Sequence, residues 1–264
     1  MAQTNITLTT WNILNPAYAK LSYYSEHVHK YLNWNEGRKV ALHNYIKTIN
    51  SDIYCLQEST EKIADEITTV LMNNSNRNYV FIWAKRKSDA DDGCAIIYDR
   101  DVLNLSDVKI LRHNNTHIIQ CALFENITNK NKFWVLNTHV NFMTRNEDII
   151  AMLQTTNKDQ FYNTKRIIVG DFNAEIKELW YTKLNQNSYI DAWTEKNGPH
   201  QKSDFTYSNG DTHRNKWIDF VLMSGFVYSD IDKVYINADL TNMTYAPNDQ
   251  IPSDHVPQSI TFKL

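Results

Sequence analysis

No stretch of the 264-residue chain stays apolar and uncharged for long enough to cross a bilayer. The opening segment MAQTNITLTTWNIL also lacks the basic start and long apolar run of a secretory signal. The expectation is an intracellular protein, cytoplasmic or nuclear, without a membrane partner. The sequons at Asn5 and Asn126 then read as by-products of an Asn-rich composition. Cysteine is scarce: Cys55, Cys94 and Cys121 are far apart, each inside an apolar strand-like run, and form no short-spaced ligand pair. That argues against a disulfide scaffold and against a zinc site held by cysteine pairs, leaving reduced core residues. With 6 Gly and 5 Pro, no low-complexity tract and no repeat, the chain has no obvious linker, so residues 1–264 read as a single domain. Neither sign of charge dominates: 27 Lys and Arg face 30 Asp and Glu, a net charge of −3. This argues against a protein gripping long duplex DNA non-specifically. It leaves room for an enzyme of phosphate esters, because carboxylates gathered around a divalent cation push the count negative.

Apolar residues make up 42% of the chain and aromatics 12%, ample for a large core. The most informative stretch is RIIVGDFNA, residues 166–174. A short β-branched run ends in a carboxylate, an aromatic and a carboxamide, as a buried strand delivering Asp171 and Asn173 to its C-terminal lip. Residues two apart on an extended chain share a face, so both can address one ligand while Phe172 turns into the core. Taken alone the tripeptide reads equally well as a turn.

Further strands are expected at Ile6 to Trp11, Asp52 to Leu56, Tyr79 to Ala84, Cys94 to Tyr98, Val108 to Leu111, His117 to Phe124, Phe133 to Asn137, Trp217 to Met223, Lys233 to Ile236 and Ser259 to Phe262. Helical spacing marks Val40, Ala41, Tyr45, Ile46 and Ile49 behind a cap at Asn33 or Asn35. It also marks Glu61 to Leu71, with Ile63, Ile67, Val70 and Leu71 on one face, and Asn146 to Asp159, with Ile149, Ile150 and Leu153. Ala174 to Leu184 reads as a short helix, KRKSDADDG as a charged turn, and the residues from Ile13 to Asn33 as loop. Strands at short intervals among few helices suggest mixed sheets with helices outside, rather than a purely parallel wound sheet.

Polar residues interrupt or end several of these apolar runs: Asn12, Glu58, His139, Asp171 with Asn173, and Asp219, followed by Ser253-Asp254-His255. In order, TWNIL, CLQE, NTH, GDFN, WIDFVL and SDHVP resemble the successive motifs of the endonuclease/exonuclease/phosphatase superfamily, the deoxyribonuclease-like metal hydrolases of phosphate esters. Six motifs in order, spanning Trp11 to Pro257, are far more specific than any one. WNILNPAYA, YLNWNEGRK, SDIYCLQE and DDGCAIIY are similar to the branch that holds carbon-catabolite-repressor-type poly(A) deadenylases, nocturnin and the 2′-5′ oligoadenylate phosphodiesterases. The fold so implied is α/β, two face-to-face mixed β-sheets with helices on both outer faces, a four-layer αββα sandwich.

The resemblance also implies roles. Phosphoryl transfer needs a charge-neutralising metal, an activated water and donors for the phosphate oxygens. Glu58 would ligate Mg²⁺ (or Mn²⁺), with Asn12 and Asp254 completing or supporting that shell. Asp171 would position or deprotonate the attacking water, Asn173 and His139 would donate to phosphate oxygens, and His255 is the second acid/base candidate. Asp219 would accept from His255 and fix its ring. Taken singly, Asp219 also reads as an outward strand residue and Glu58 as a helix-start acid. His117, His200 and His213 match no motif and suggest surface or structural roles.

Inositol polyphosphate 5-phosphatases resemble this layout but put an Arg after the aspartate that is here Asp219, where this chain has Phe220. Asn141, Phe142 and Arg145 follow His139 as a loop at the active rim, able to stack a base on Phe142 and pair a phosphate with Arg145, or simply to pack. Trp193 and Trp217 are stacking candidates that read equally as core. The expected activity is a Mg²⁺-dependent phosphodiesterase or nuclease acting on single-stranded RNA or adenylate-containing nucleotides. The alternatives are a nucleotide phosphatase removing the 2′-phosphate of NADP(H), a DNA-repair endonuclease, or a catalytically silent binding module.

Overall fold

The computed structural model describes residues 5–87, 91–113, 117–158, 161, 163–201, 203–238 and 243–264. Asp159, the expected end of one helix, and 88–90 at the centre of the charged turn lie outside the described residues. Two six-stranded mixed sheets form the middle of the molecule. The first contains β1 (Asn5–Asn12), β2 (Ile53–Ser59), β3 (Tyr79–Lys85), β4 (Gly93–Asp99), β11 (Ile231–Ile236) and β12 (Gln258–Lys263), in the order β11-β12-β1-β2-β4-β3. The second contains β5 (Leu103–His113), β6 (His117–Asn126), β7 (Lys132–His139), β8 (Lys165–Asp171), β9 (Ile190–Asp191) and β10 (Asp219–Ser224), in the order β5-β6-β7-β8-β10-β9.

Three apolar layers hold the stack together. Between the sheets, Ile6, Leu8, Ile53, Phe133, Val135, Ile167, Val169, Val221, Ile260 and Phe262 are buried against one another. Outside the first sheet, α1 (Lys39–Ile46) and α2 (Glu61–Asn74) cover Trp11, Tyr54, Leu56 and Ile97. Outside the second, α3 (Arg145–Thr156) covers Trp134, Leu136 and Ile168, with Trp180 and Phe172 in the same layer. The order is therefore helix, sheet, sheet, helix. A fourth short helix, α4 (Ala192–Asn197), follows β9 and is capped by the Asp191 side chain.

Several elements differ from expectation for local physical reasons. In α1 the buried side chains are Leu42 and Ile46, while Val40 is 62% exposed. Arg38 just upstream is buried and donates to the carbonyls of Leu32, Ile13 and Leu14, and this fixes the phase of the helix. Residues 174–184 are not an α-helix. They form a turn and a 3₁₀ segment, Leu179–Lys183, because Glu178 accepts from the Glu175 amide and closes the turn early. Residues 21–23 and 26–31, expected as loop, also wind into 3₁₀ turns. β5 runs well beyond 108–111, and its polar residues Asn104, Ser106 and Arg112 face outward on an edge strand. The short β9 and α4 were not legible in the pattern.

Sheet geometry gathers the polar strand ends. β7 and β8 run parallel and end together, with His139 beside Asp171. β10 is antiparallel to β8, so Asp219 meets Asp171 from the start of its strand rather than from its end. Gly170 sits at φ +139°, and a Cβ there would lie 1.9 Å from the Thr138 carbonyl oxygen. Only glycine permits this approach of β8 to β7 just below the site.

Candidate active site

Asn12, Glu58, His139, Asp171, Asp219, Asp254 and His255 converge at one rim of the sandwich. Asn12, at the end of β1, donates from Nδ2 to Asp171 Oδ2 across the two sheets and to Glu58 Oε1 on its own sheet, both at 3.0 Å. Glu58 occupies a left-handed backbone conformation, φ +57°, at a register shift between β2 and β4. This is an uncommon geometry for a non-glycine residue, costing on the order of 1–3 kcal/mol. Asn15 compensates, its amide donating to Glu58 Oε2 at 2.8 Å and its side chain to the Glu58 carbonyl at 3.2 Å. The bulge thus turns the carboxylate into the cleft instead of along the sheet.

His255 Nδ1 donates to Asp219 Oδ2 at 2.8 Å, while Nε2 lies 3.6 Å from Asp171 Oδ2. Ser253 anchors this segment to β1, donating to the Asn12 carbonyl at 2.7 Å, and Trp11 Nε1 donates to the His255 carbonyl at 2.8 Å. His139 Nε2 stands 3.6 Å from the same Asp171 oxygen and 4.0 Å from Glu58 Oε1. Asn173, at φ +51°, donates its amide to Asp171 Oδ1 at 2.8 Å and one side-chain hydrogen to the Val140 carbonyl at 2.9 Å. Asp171 is the hub, reached by Asn12, Asn173, His139 and His255.

The electrostatics divide this cluster into two parts. Burial pushes His255 down, but Asp219 and Asp171 outweigh it and hold the ring well above its ordinary value, hence protonated. His139 is held well below, by burial and then by Arg86 and His255, hence neutral. Burial raises Asp171 to about 7. Asp171, Asp219 and His255 are close enough to hold a metal, yet the imidazolium already sits between the two carboxylates. Among the described residues Glu58 has no charged hydrogen-bond partner of this kind. Burial, then repulsion from Asp254, raise it above the usual carboxylate range. Asp254 itself is buried and accepts a hydrogen bond from Tyr24 at 2.8 Å. Two neighbouring carboxylates, Glu58 and Asp254, offer oxygen donors that fit a hard divalent ion, whereas Asn12 turns its nitrogen to Glu58 and its oxygen accepts from the Leu14 amide at 3.0 Å, so it orients the carboxylate from beside the site.

The cleft above them has a volume of about 550 Å³ and is walled by Glu58, Asp171, Asn173 and His255 on one side and Asn141, Phe142 and Arg145 on another. Phe142 is 53% exposed. Arg145 lies over its ring but is also paired with Glu178 at 2.8 Å and donates to the Phe142 carbonyl. It is therefore not a free phosphate clamp. Trp193 and Trp217 pack against each other and against His200 instead of lining this cleft. His200 is buried on Asp191, and His117 is buried as well.

Sequence reasoning missed Tyr18, Arg86 and Tyr207 in the cleft wall and Tyr24 behind it, because no motif flags a lone aromatic or cation. Arg86 lines the wall, paired with Asp92 at 2.8 Å and with Tyr18 at 3.0 Å. Tyr207 packs on the His255 ring with centroids 5.0 Å apart, and Tyr24 supports Asp254. Beneath the site Gln57 and Asn137 bridge the sheets at 2.7 Å, both fully buried. Their place in CLQE and NTH was the available signal.

The Endonuclease/Exonuclease/phosphatase family profile matches residues 9–255. The chain belongs to that family. Among curated proteins it is 25% identical over 228 residues to Protein angel of Drosophila melanogaster, covering 74% of this chain and 60% of that protein. It is 22% identical to the CCR4-Not complex 3′-5′-exoribonuclease subunit Ccr4 of Saccharomyces cerevisiae, covering 100% of this chain and 39% of that protein. The chain thus spans less than two thirds of the length of these relatives. A crystal structure of ANGEL2, described as a 2′,3′-cyclic phosphatase, superposes with a TM-score of 0.74 at 17% identity, over 99% of this chain and 96% of the other, and shares the fold. The family is one of divalent-metal-dependent phosphoester hydrolases, and within it the chain is similar to a 3′-5′-exoribonuclease subunit. Among the described residues no helix is long and apolar enough to cross a membrane.

Proposed function

We propose that the protein is a Mg²⁺-dependent phosphodiesterase acting on short single-stranded adenylates at RNA ends or in small nucleotides. The observation that carries this reading is Asp171, buried and raised toward neutrality, in reach of a neutral His139 and a protonated His255 at the floor of a compact cleft. Glu58, with Asn12 and Asp254 in support, would hold the cation. When bound, it would neutralise charge on the phosphate and lower the barrier to attack.

The chain's own groups supply the rest. Asp171, near neutrality, is matched to accepting a proton from an attacking water. His255, charged and fixed by Asp219, supplies a proton or a charge-assisted hydrogen bond to the phosphate. Asn173 and His139 line the same wall and orient the phosphate oxygens. Phe142, exposed at the mouth, offers a ring on which one base can stack. The mild net negative charge fits short-range recognition rather than tracking of a long backbone.

The deciding measurement is a substrate panel with Mg²⁺, read by product mass. It contains oligo(A), 2′-5′ oligoadenylate, an oligonucleotide ending in a 2′,3′-cyclic phosphate, NADPH, single-stranded DNA, an abasic duplex and a phosphoinositide. Adenylate release from single strands is the expected result. Phosphate release from NADPH alone, cyclic-phosphate opening alone, or preferential nicking of duplex DNA would each replace the proposal.

A further inference from the structure

We propose that His113, His117 and Asp148 form a Zn²⁺ site, separate from the catalytic cleft, that fastens the β5–β6 hairpin to the start of α3. His113 and His117 are paired in register on adjacent antiparallel strands, so their side chains emerge on one face of the sheet. Asp148 comes from the first turn of α3 and is fully buried. Each of the three residues offers a ligand atom within 4.8 Å of the others. His113 Nδ1 lies 2.6 Å from Asp148 Oδ1.

His117 makes the cluster more than an ordinary ion pair. Thr138 Oγ1 spends its only hydrogen on the Ile118 carbonyl at 2.9 Å, so it must accept from His117 Nε2 at 2.8 Å. That fixes the proton on Nε2 and leaves a lone pair on Nδ1. His117 is 1% exposed, and its Nδ1 has no hydrogen-bond partner among the described residues. A buried acceptor beside a buried carboxylate needs a donor or a cation.

The surroundings match those of metal ligands. The second ring nitrogen of His117 is tied to Thr138, and the second oxygen of Asp148 accepts from Thr144 at 2.6 Å. Such outer hydrogen bonds orient metal-binding imidazoles and carboxylates. Two imidazoles and one carboxylate suit Zn²⁺, with water in the remaining position, whereas Mg²⁺ prefers oxygen alone. Thr138 precedes His139, and Thr144 ends the loop carrying Asn141 and Phe142. The clip would therefore brace one wall of the catalytic cleft from behind.

The test uses the full chain carrying Glu58→Gln, which weakens the oxygen-rich site, stripped with chelator and titrated with ZnCl₂ against a chromophoric competitor. One Zn²⁺ per chain is expected. His113→Ala, which truncates a half-exposed ring, and Asp148→Asn should each weaken that binding by at least about 10-fold. In the histidine NMR spectrum of the Glu58→Gln protein, one equivalent of Zn²⁺ should shift the imidazole signals of both His113 and His117. Affinity unchanged by either substitution, no Zn²⁺ bound by the Glu58→Gln protein, or unmoved His113 and His117 signals would overturn the proposal.

Discussion

Asp171 and Asp219 stand opposite each other on the antiparallel pair β8–β10, two buried carboxylates reached by one imidazole. The pairing follows from strand direction: the end of one strand meets the beginning of the next. His255 between them carries the charge that makes two adjacent carboxylates tolerable. Loss of either Asp219 or His255 therefore disturbs the same unit. His255→Ala and Asp219→Asn should each lower kcat by about 10²–10⁴-fold, and the double variant should be little worse than the weaker single. Losses that multiply would show that the two act independently.

The bridge beneath the site should matter for stability. Asn137 Nδ2 donates to the carbonyls of Leu56 and Ala95, and its oxygen accepts from Gln57. Asn137→Ala strands these partners in a dry interior, at about 1–3 kcal/mol for an unsatisfied buried group. Denaturant unfolding should show that loss. An unchanged midpoint would mean that water or repacking replaces the amide.

Much of the rim was legible because polar residues break apolar alternation at Asn12, Glu58, His139 and Asp171, and a break in a buried strand needs a cause. What sequence could not show depended on distant chain. The bulge that turns Glu58 into the cleft needs Asn15 and the register of β4. The pairing of Arg145 with Glu178 spans 33 residues, and nothing local signals it. Tyr207 and Arg86 reach the cleft, and Tyr24 reaches Asp254, from segments whose composition reads as ordinary loop or strand. The phase of α1 was misjudged because buried Arg38, a residue type usually exposed, sets it.

The Arg145–Glu178 pair gives a pH test. Burial alone would raise Glu178, but hydrogen bonds from the Glu175 amide, Arg145 and Asn146 together hold it below its ordinary 4.5. The folded state then binds fewer protons than the unfolded one, so stability is present above about pH 4.5 and falls as acid moves through the folded value. Glu178→Gln should therefore lower the neutral plateau and flatten that part of the stability curve, the two proteins converging in acid. An equal acid slope in both proteins would assign the loss to other carboxylates.

Among the described residues Phe142 is the one highly exposed aromatic of the cleft wall. A stacked base is worth about 1–3 kcal/mol by alanine substitution. Phe142→Ala should then raise KM for single-stranded adenylates roughly tenfold or more, with kcat and melting temperature nearly unchanged. Arg145→Ala should behave differently: it frees Glu178 and loosens the loop, so thermal stability falls along with activity. Identical kinetics for Phe142→Ala and the parent would remove the ring from substrate binding.

Glu58 separates the metal's role from the fold's. Without a cation its buried carboxylate is a liability, since burial and Asp254 raise it above the usual range, and neutral pH then forces an unfavourable charge into the interior. A group raised in this way stabilises the fold only as pH drops through its folded value; at neutrality it destabilises. Glu58→Gln keeps the shape and removes the charge, its single amide oxygen retaining one of the two hydrogen bonds that Asn12 and Asn15 donate. In chelator the variant should therefore melt at or above the parent temperature. With Mg²⁺ the order should reverse, because the parent gains RT ln(1 + [Mg²⁺]/Kd) and the variant gains little. Its hydrolytic activity should fall to background under both conditions. A variant that hydrolyses at the parent rate, or a parent fully active in chelator, would remove Glu58 from the metal and leave its left-handed backbone and its hydrogen bonds from Asn12 and Asn15 without a purpose.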